Sequence, residues 1–155
     1  MRARRERGFT LIELLVVMVI IGITLGLVSL NAIPSQQQSL QQEAQRIALL
    51  LQLARDEAIV RNQQIAFEAG QDSYRFLVRN ERQWDPVLQD DMLREREFKS
   101  TPVTLLLEPA PSVPGPSLRI VFGREPVDKP FVLTMVNGDS RVAIRADGIG
   151  HFTVD

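Results

Sequence analysis

The sequence predicts an α+β fold: a long N-terminal α-helix, membrane-spanning in its first half, packed on an antiparallel β-sheet domain. Three observations predict it. Leu14 to Ile33 is an apolar run without a single charge, residues 40–58 carry an apolar stripe at helical spacing, and the chain beyond Gln63 alternates like strands, with Asn137-Gly138 and Asp147-Gly148 as punctuation. Helix first and strands afterwards is the order of an α+β domain rather than of repeated βαβ units.

As a helix at ~1.5 Å per residue, Leu14 to Ile33 reaches ~30 Å, the thickness of a bilayer's hydrocarbon core. Arg2, Arg4, Arg5 and Arg7 precede it against the single Glu6, so the positive-inside rule places the N-terminus in the cytoplasm and the acidic remainder across the membrane. An ordinary secretory signal would end in a small-x-small site, but Leu30 occupies the −3 position for a cut after Ala32. A plain anchor leaves Glu13 unexplained, because a carboxylate in an apolar segment is costly without a partner. Pro34 and the Gly22/Gly26 pair are expected to bend the helix.

After Pro34, Leu40, Ala44, Ile47, Leu51, Ala54 and Ala58 recur at steps of four and three, widened by Leu49, Leu50 and Leu53. A coiled coil would use the same stripe, but the strand-rich tail is the simpler cover for it. Strands are expected at Gln64 to Phe67 and Tyr74 to Val78, joined through Ala69-Gly70-Gln71-Asp72. Phe131 to Val136, Arg141 to Ala146 and Ile149 to Val154 read as a three-strand meander, its turns at Asn137-Gly138 and Asp147-Gly148, where positive φ is favoured. Leu118 to Phe122 adds a strand and Val103 to Leu107 a weaker one. Pro109, Pro111, Pro114 and Pro116 separate these two as an extended loop, and residues 80–100 read as an irregular or short helical excursion.

Chemistry is sparse. Ser140, Asp139, Asp147 and the sole histidine, His151, could formally compose a triad, but no strand-turn-helix elbow precedes Ser140. The aspartates read as turn residues and His151 as a strand residue. Asp85, Asp90 and Asp91 could gather calcium, yet no Asp-x-Asp-x-Asp-Gly pattern is present, and a solvated acidic loop is the simpler reading. Trp84 is either a partner anchor or a residue packed over a sheet edge, and Asp90 to Lys99 reads as a solvated face. A net charge of −1 gives no nucleic-acid surface, and the absence of cysteine excludes disulfides, thiol catalysis and cysteine metal sites. The expectation is a protein with no catalytic, cofactor or metal residues.

Arg7-Gly8-Phe9-Thr10-Leu11-Ile12-Glu13 resembles the cleavage and methylation signature of the type IV pilin superfamily, which includes the pseudopilins of type II secretion. The resemblance implies a cut by prepilin peptidase between Gly8 and Phe9, N-methylation of Phe9, and pairing of Glu13 with the Phe9 amine of a neighbouring subunit in a filament core. It divides the chain into a basic leader (1–8), a transmembrane helix (9–33), a periplasmic amphipathic helix (34–62) and a β-rich pilin-like domain (63–155) with a proline-rich loop at about 108–117. The segment Tyr74-Arg75-Phe76-Leu77-Val78, then Ile120-Val121-Phe122 followed by a Gly/Pro turn and a meander, looks more narrowly like the H-type minor pseudopilin.

That resemblance implies a structural subunit of the type II secretion pseudopilus, held in the bacterial inner membrane. Its partners would be the major and other minor pseudopilins, prepilin peptidase, the inner-membrane assembly platform and the secreted exoproteins. Minor pilins of the FimT/FimU kind share the domain, so a type IV pilus, for adhesion, motility or DNA uptake, is the alternative machine. Many such pilins staple a C-terminal loop with two cysteines, and their absence here favours secretion. From another class, a membrane-anchored periplasmic binding module stays open.

Overall fold

The computed structural model describes the backbone of residues 10–30, 35–88, 90–111 and 115–155, and their side chains except at 25–30. Two compact units result, Met1–Pro34 and Ser35–Asp155. In the first, α1 (Leu11–Leu30) continues unbroken through Gly22 and Gly26, the pair expected to bend it. Pro34, the other expected bend, lies outside the described residues. The side chains of α1 are described as far as Thr24, roughly 21 Å of helix. Among the described residues no helix is long and apolar enough to cross a membrane; of the run expected to do so, the side chains of residues 25–30 and all of residues 31–33 lie outside the description.

In the second unit α2 (Gln36–Val60) is closed at both ends by its own sequence. Ser35 is the N-cap, its hydroxyl accepting from the Gln38 N–H at 3.2 Å. At the other end Asn62 adopts φ +52°, so that the Asn62 N–H reaches the Ile59 carbonyl at 3.2 Å and the Gln63 N–H that of Ala58 at 3.1 Å. This is a Schellman closure with asparagine where glycine is commoner. The expected stripe Leu40, Ala44, Ile47, Leu51, Ala54 and Ala58 is buried throughout. Leu50 joins it, Leu53 is half-buried, and Leu49 is a correction: 68% exposed, it faces away from the core. Glu43 enters the buried face unexpectedly, paired with Arg46 one turn on.

Two antiparallel sheets cover the helix. The first has the order β3-β2-β1-β6, from β1 (Ile65–Ala69), β2 (Ser73–Asn80), β3 (Gln83–Pro86) and β6 (Leu118–Phe122), with β4 (Arg96–Glu97) also on β2. The second has the order β5-β7-β8-β9, from β5 (Thr104–Glu108), β7 (Phe131–Asn137), β8 (Ser140–Ala146) and β9 (Phe152–Val154). Ile65, Phe67, Tyr74, Phe76, Ile120 and Phe122 from the first sheet and Leu133, Met135, Val142 and Ile144 from the second enclose the helix stripe in one core. Phe152 joins the sheets, its ring 6.3 Å from that of Phe122 and 6.2 Å from that of Phe131.

Four expectations are corrected. Residues 80–100 are neither irregular throughout nor helical, since β3 and β4 pair there with β2. Within the supposed solvated face Asp90 to Lys99, Leu93 and Phe98 are buried, and the Phe98 ring lies 5.2 Å from that of Tyr74, tilted by 46°. At the β7–β8 hairpin Asn137 pairs with Ser140, so the central residues are Gly138 and Asp139, and of these Gly138 alone takes positive φ, +57°. Ile149 is not in a strand; it stands 60% exposed in a loop, and β9 starts only at Phe152.

Candidate assembly surfaces

Thr10 and Glu13 build the start of α1. The Glu13 N–H reaches the Thr10 hydroxyl at 3.4 Å, and the Leu14 N–H the Thr10 carbonyl at 3.2 Å. Thr10-x-x-Glu13 is the spacing of a capping box, and an acid in the first turn suits the positive end of the helix dipole. This local role is legible in the sequence beside the intersubunit one. The only other polar side chain described on α1, Thr24, is satisfied within the helix, its hydroxyl donating to Ile20 and Ile21 carbonyls at 2.8 and 3.0 Å. Every side chain from Thr10 to Thr24 is exposed, among them Leu11 at 85% and Ile12 at 68%. An all-round apolar helix is normally buried, in a large protein core or in a membrane. Gly8 and Phe9 lie outside the described residues.

The start of α2 is tied to the second sheet. Gln36 donates to the Asn137 side-chain oxygen, and Gln37 to the Arg141 carbonyl at 3.1 Å. Asn137 in turn donates to the Ser100 and Pro102 carbonyls at 2.9 and 3.0 Å, so one buried amide joins three chain segments. Nothing local in the sequence marked it, because Asn-Gly reads first as a turn.

On the outer face of the first sheet Glu68 sits between its register partners Arg75 and Arg119. Arg75 donates through Nε at 3.0 Å and Nη2 at 2.6 Å, and Arg119 likewise grips the second carboxylate oxygen. Desolvation would raise the carboxyl's pKa, but the hydrogen bonds and charges of Arg119 and Arg75 prevail and hold it below its ordinary value. Trp84 on β3 is half-buried, with the Arg79 and Arg119 guanidinium groups over its ring. On the inner side burial, with Glu43 adding, pushes the Tyr74 hydroxyl up against the pull of Arg46.

The candidates for chemistry are not brought together. Ser140 opens β8, whereas Asp147 and His151 follow its other end, roughly 20 Å away at ~3.3 Å per residue. Asp147 organises its own loop, accepting from the N–H groups of Ile149, Gly150 and His151 and meeting His151 Nδ1 at 2.6 Å. Against a desolvation that raises it, the Ile149 N–H and the His151 ring and N–H hold the Asp147 carboxyl down to about 2. Asp85 takes a bond from Asn80 at 2.7 Å, and Asp90 caps the N–H groups of Met92 and Leu93. Among the described residues no group of three or more acidic or histidine side chains could hold a metal ion.

Helix capped at Thr10, second helix on two antiparallel sheets: this is the architecture of a pilin-like subunit, and comparison with known proteins places it more narrowly. Residues 3–29 match the prokaryotic N-terminal methylation motif, and residues 43–150 match the family Type II transport protein GspH. The chain is 34% identical over 139 residues to Type II secretion system protein H of Pseudomonas aeruginosa, covering 88% of this chain and 79% of that one. Its fold is similar to the crystal structure of the minor pseudopilin EpsH of Vibrio cholerae, with TM-score 0.59 at 19% identity over 77% of this chain and 95% of the other. It is similar also to the solution structure of E. coli GspH, with TM-score 0.58 at 17% identity over 77% and 91% of the two chains. The chain belongs to the GspH family of type II secretion pseudopilins.

Proposed function

We propose that this chain works as an H-type minor pseudopilin, a structural subunit that joins the major and other minor pseudopilins in a periplasmic filament for export of folded proteins. The observation that carries the reading is α1: an apolar helix exposed on every described face, with one carboxylate, Glu13, in its first turn. Such a helix suits two successive surroundings, lipid before assembly and neighbouring helices afterwards. In this reading residues 1–8 are a leader, residues 9–33 the inner-membrane span with the N-terminus cytoplasmic, residues 34–62 the periplasmic helix and residues 63–155 the periplasmic β-domain. The chain serves the family's structural role and leaves catalysis to the prepilin peptidase that processes it.

Cutting after Gly8 frees a cationic Phe9 amine, which stays charged when methylated. In a filament core, where the effective dielectric is low, that amine and a neighbour's Glu13 attract strongly, and either one left unpaired costs several kcal/mol. The pair therefore fixes subunit register. Intact mass and N-terminal sequencing of the membrane-extracted protein should give a chain starting at methylated Phe9; a start at Met1 would contradict the processing. Glu13→Ala should leave membrane insertion unchanged and strongly reduce co-purification with the other pseudopilins. Undiminished co-purification would contradict the pairing.

A further inference from the structure

The outer face of the first sheet carries more positive charge than its folding uses. Arg75 and Arg119 each spend Nε and Nη2 on Glu68 and remain 44% and 40% exposed. Arg79, third on this face, makes one long bond, Nε to the Glu81 carbonyl at 3.5 Å, and no ion pair among the described residues. Its guanidinium carbon lies 5.3 Å from the centroid of the Trp84 ring, and that of Arg119 lies 5.7 Å away. Among the described residues the three guanidiniums form ion pairs with one carboxylate, that of Glu68, and Arg79 with none. Other acids flank this face: Glu81 lines a pocket with Arg79, Glu95 lines one with Glu68 and Arg75, and Glu97 is the register partner of Ser73, two residues before Arg75; Asp85 follows Trp84 on its strand and points to the opposite face, where it lines a cavity with Glu57, Ile65 and Val78. Pro86 and Val121, 41% exposed, supply apolar surface on the same side.

We propose that this face, centred on Trp84 and Arg79, is a docking surface for an acidic segment of a protein partner. Tryptophan and arginine are the side chains on which binding energy concentrates, and a planar guanidinium suits bidentate pairing with a carboxylate. An anionic membrane surface is matched instead by clusters of four to eight lysines or arginines, without a carboxylate in their midst. The mixed Trp-Arg-Pro-Val surface fits a protein chain better. The proposal concerns surface chemistry and stands whether or not the chain assembles into a secretion filament.

Trp84 is the sole tryptophan, so its fluorescence reads the site directly. The full chain in neutral detergent micelles is titrated with an octaglutamate peptide, an octaserine peptide, inorganic phosphate and, after reconstitution in neutral lipid, vesicles containing phosphatidylglycerol. The expected result is a saturable change with octaglutamate alone, weakened by salt as screened charges require. In Arg79→Glu the midpoint should weaken about tenfold or more, and Arg79→Gln, which keeps much of the stem, should fall between. An equal response from phosphatidylglycerol vesicles or phosphate, no response to octaglutamate, or an unchanged midpoint in Arg79→Glu with native Trp84 emission would each overturn the proposal.

Discussion

Glu13 and Glu68 are both carboxylates in costly places, and their surroundings answer the cost in different ways. Glu68 is buried and spends both oxygens on two arginines held opposite it by strand register. Its pKa is lowered in the folded state, so its contribution is complete above the unfolded value of ~4.3 and disappears as pH falls through the folded value. Glu68→Gln should therefore cost about 1–2 kcal/mol at pH 7, the lower part of the range for charged hydrogen bonds because both arginines are partly solvated. The gap between variant and parent in denaturant unfolding should close toward pH 3. A gap equal at both pH values would show that shape, not charge, matters there. Glu13 stood out in the sequence because a lone acid in an apolar run is anomalous within a single window. Glu68 did not, since its partners lie at positions 75 and 119 and only pairing of strands brings them near.

At the scale of elements, α2 and the hairpins were legible because periodicity and turn residues are local signals. The stripe of six named residues is buried as expected, and β1, β2, β6, β7 and β8 lie close to where alternation put them. What escaped were β3 and β4, short strands with charged residues at both faces of the sheet edge, whose pairing with β2 compensates for weak patterning. The β7–β8 hairpin turns one residue later than Asn-Gly alone implies, because the side-chain bonds of Asn137 to Ser100 and Pro102 hold it in the strand. The alanines of α2 have their own meaning: Ala44, Ala54 and Ala58 are fully buried, so small residues set how close the sheets approach. Ala54→Leu should lose about 1–3 kcal/mol by overpacking, while Leu49→Ala, on the exposed side, should stay within about 0.5 kcal/mol of the parent. Thermal unfolding of the two variants decides; equal losses would place the helix the other way round.

For the whole molecule, the chain separates two tasks. Residues 35–155 form a β-covered helix with its own core, and the described side chains of α1 form an exposed apolar surface. The order helix-then-strands made the α+β class legible, but the division of strands between two sheets was not, because β5 joins β7 while β6 crosses back to β1. That interleaving depends on long-range pairing that no window of sequence contains. Membership of the GspH family and the exposed α1 together make filament assembly the central claim. The most direct measurement is protein export from a strain lacking this chain, complemented with the parent or with Glu13→Ala. The account predicts exoproteins held folded in the periplasm, with export restored by the parent and not by the variant. Unaltered export, or loss of surface pili with export intact, would contradict it.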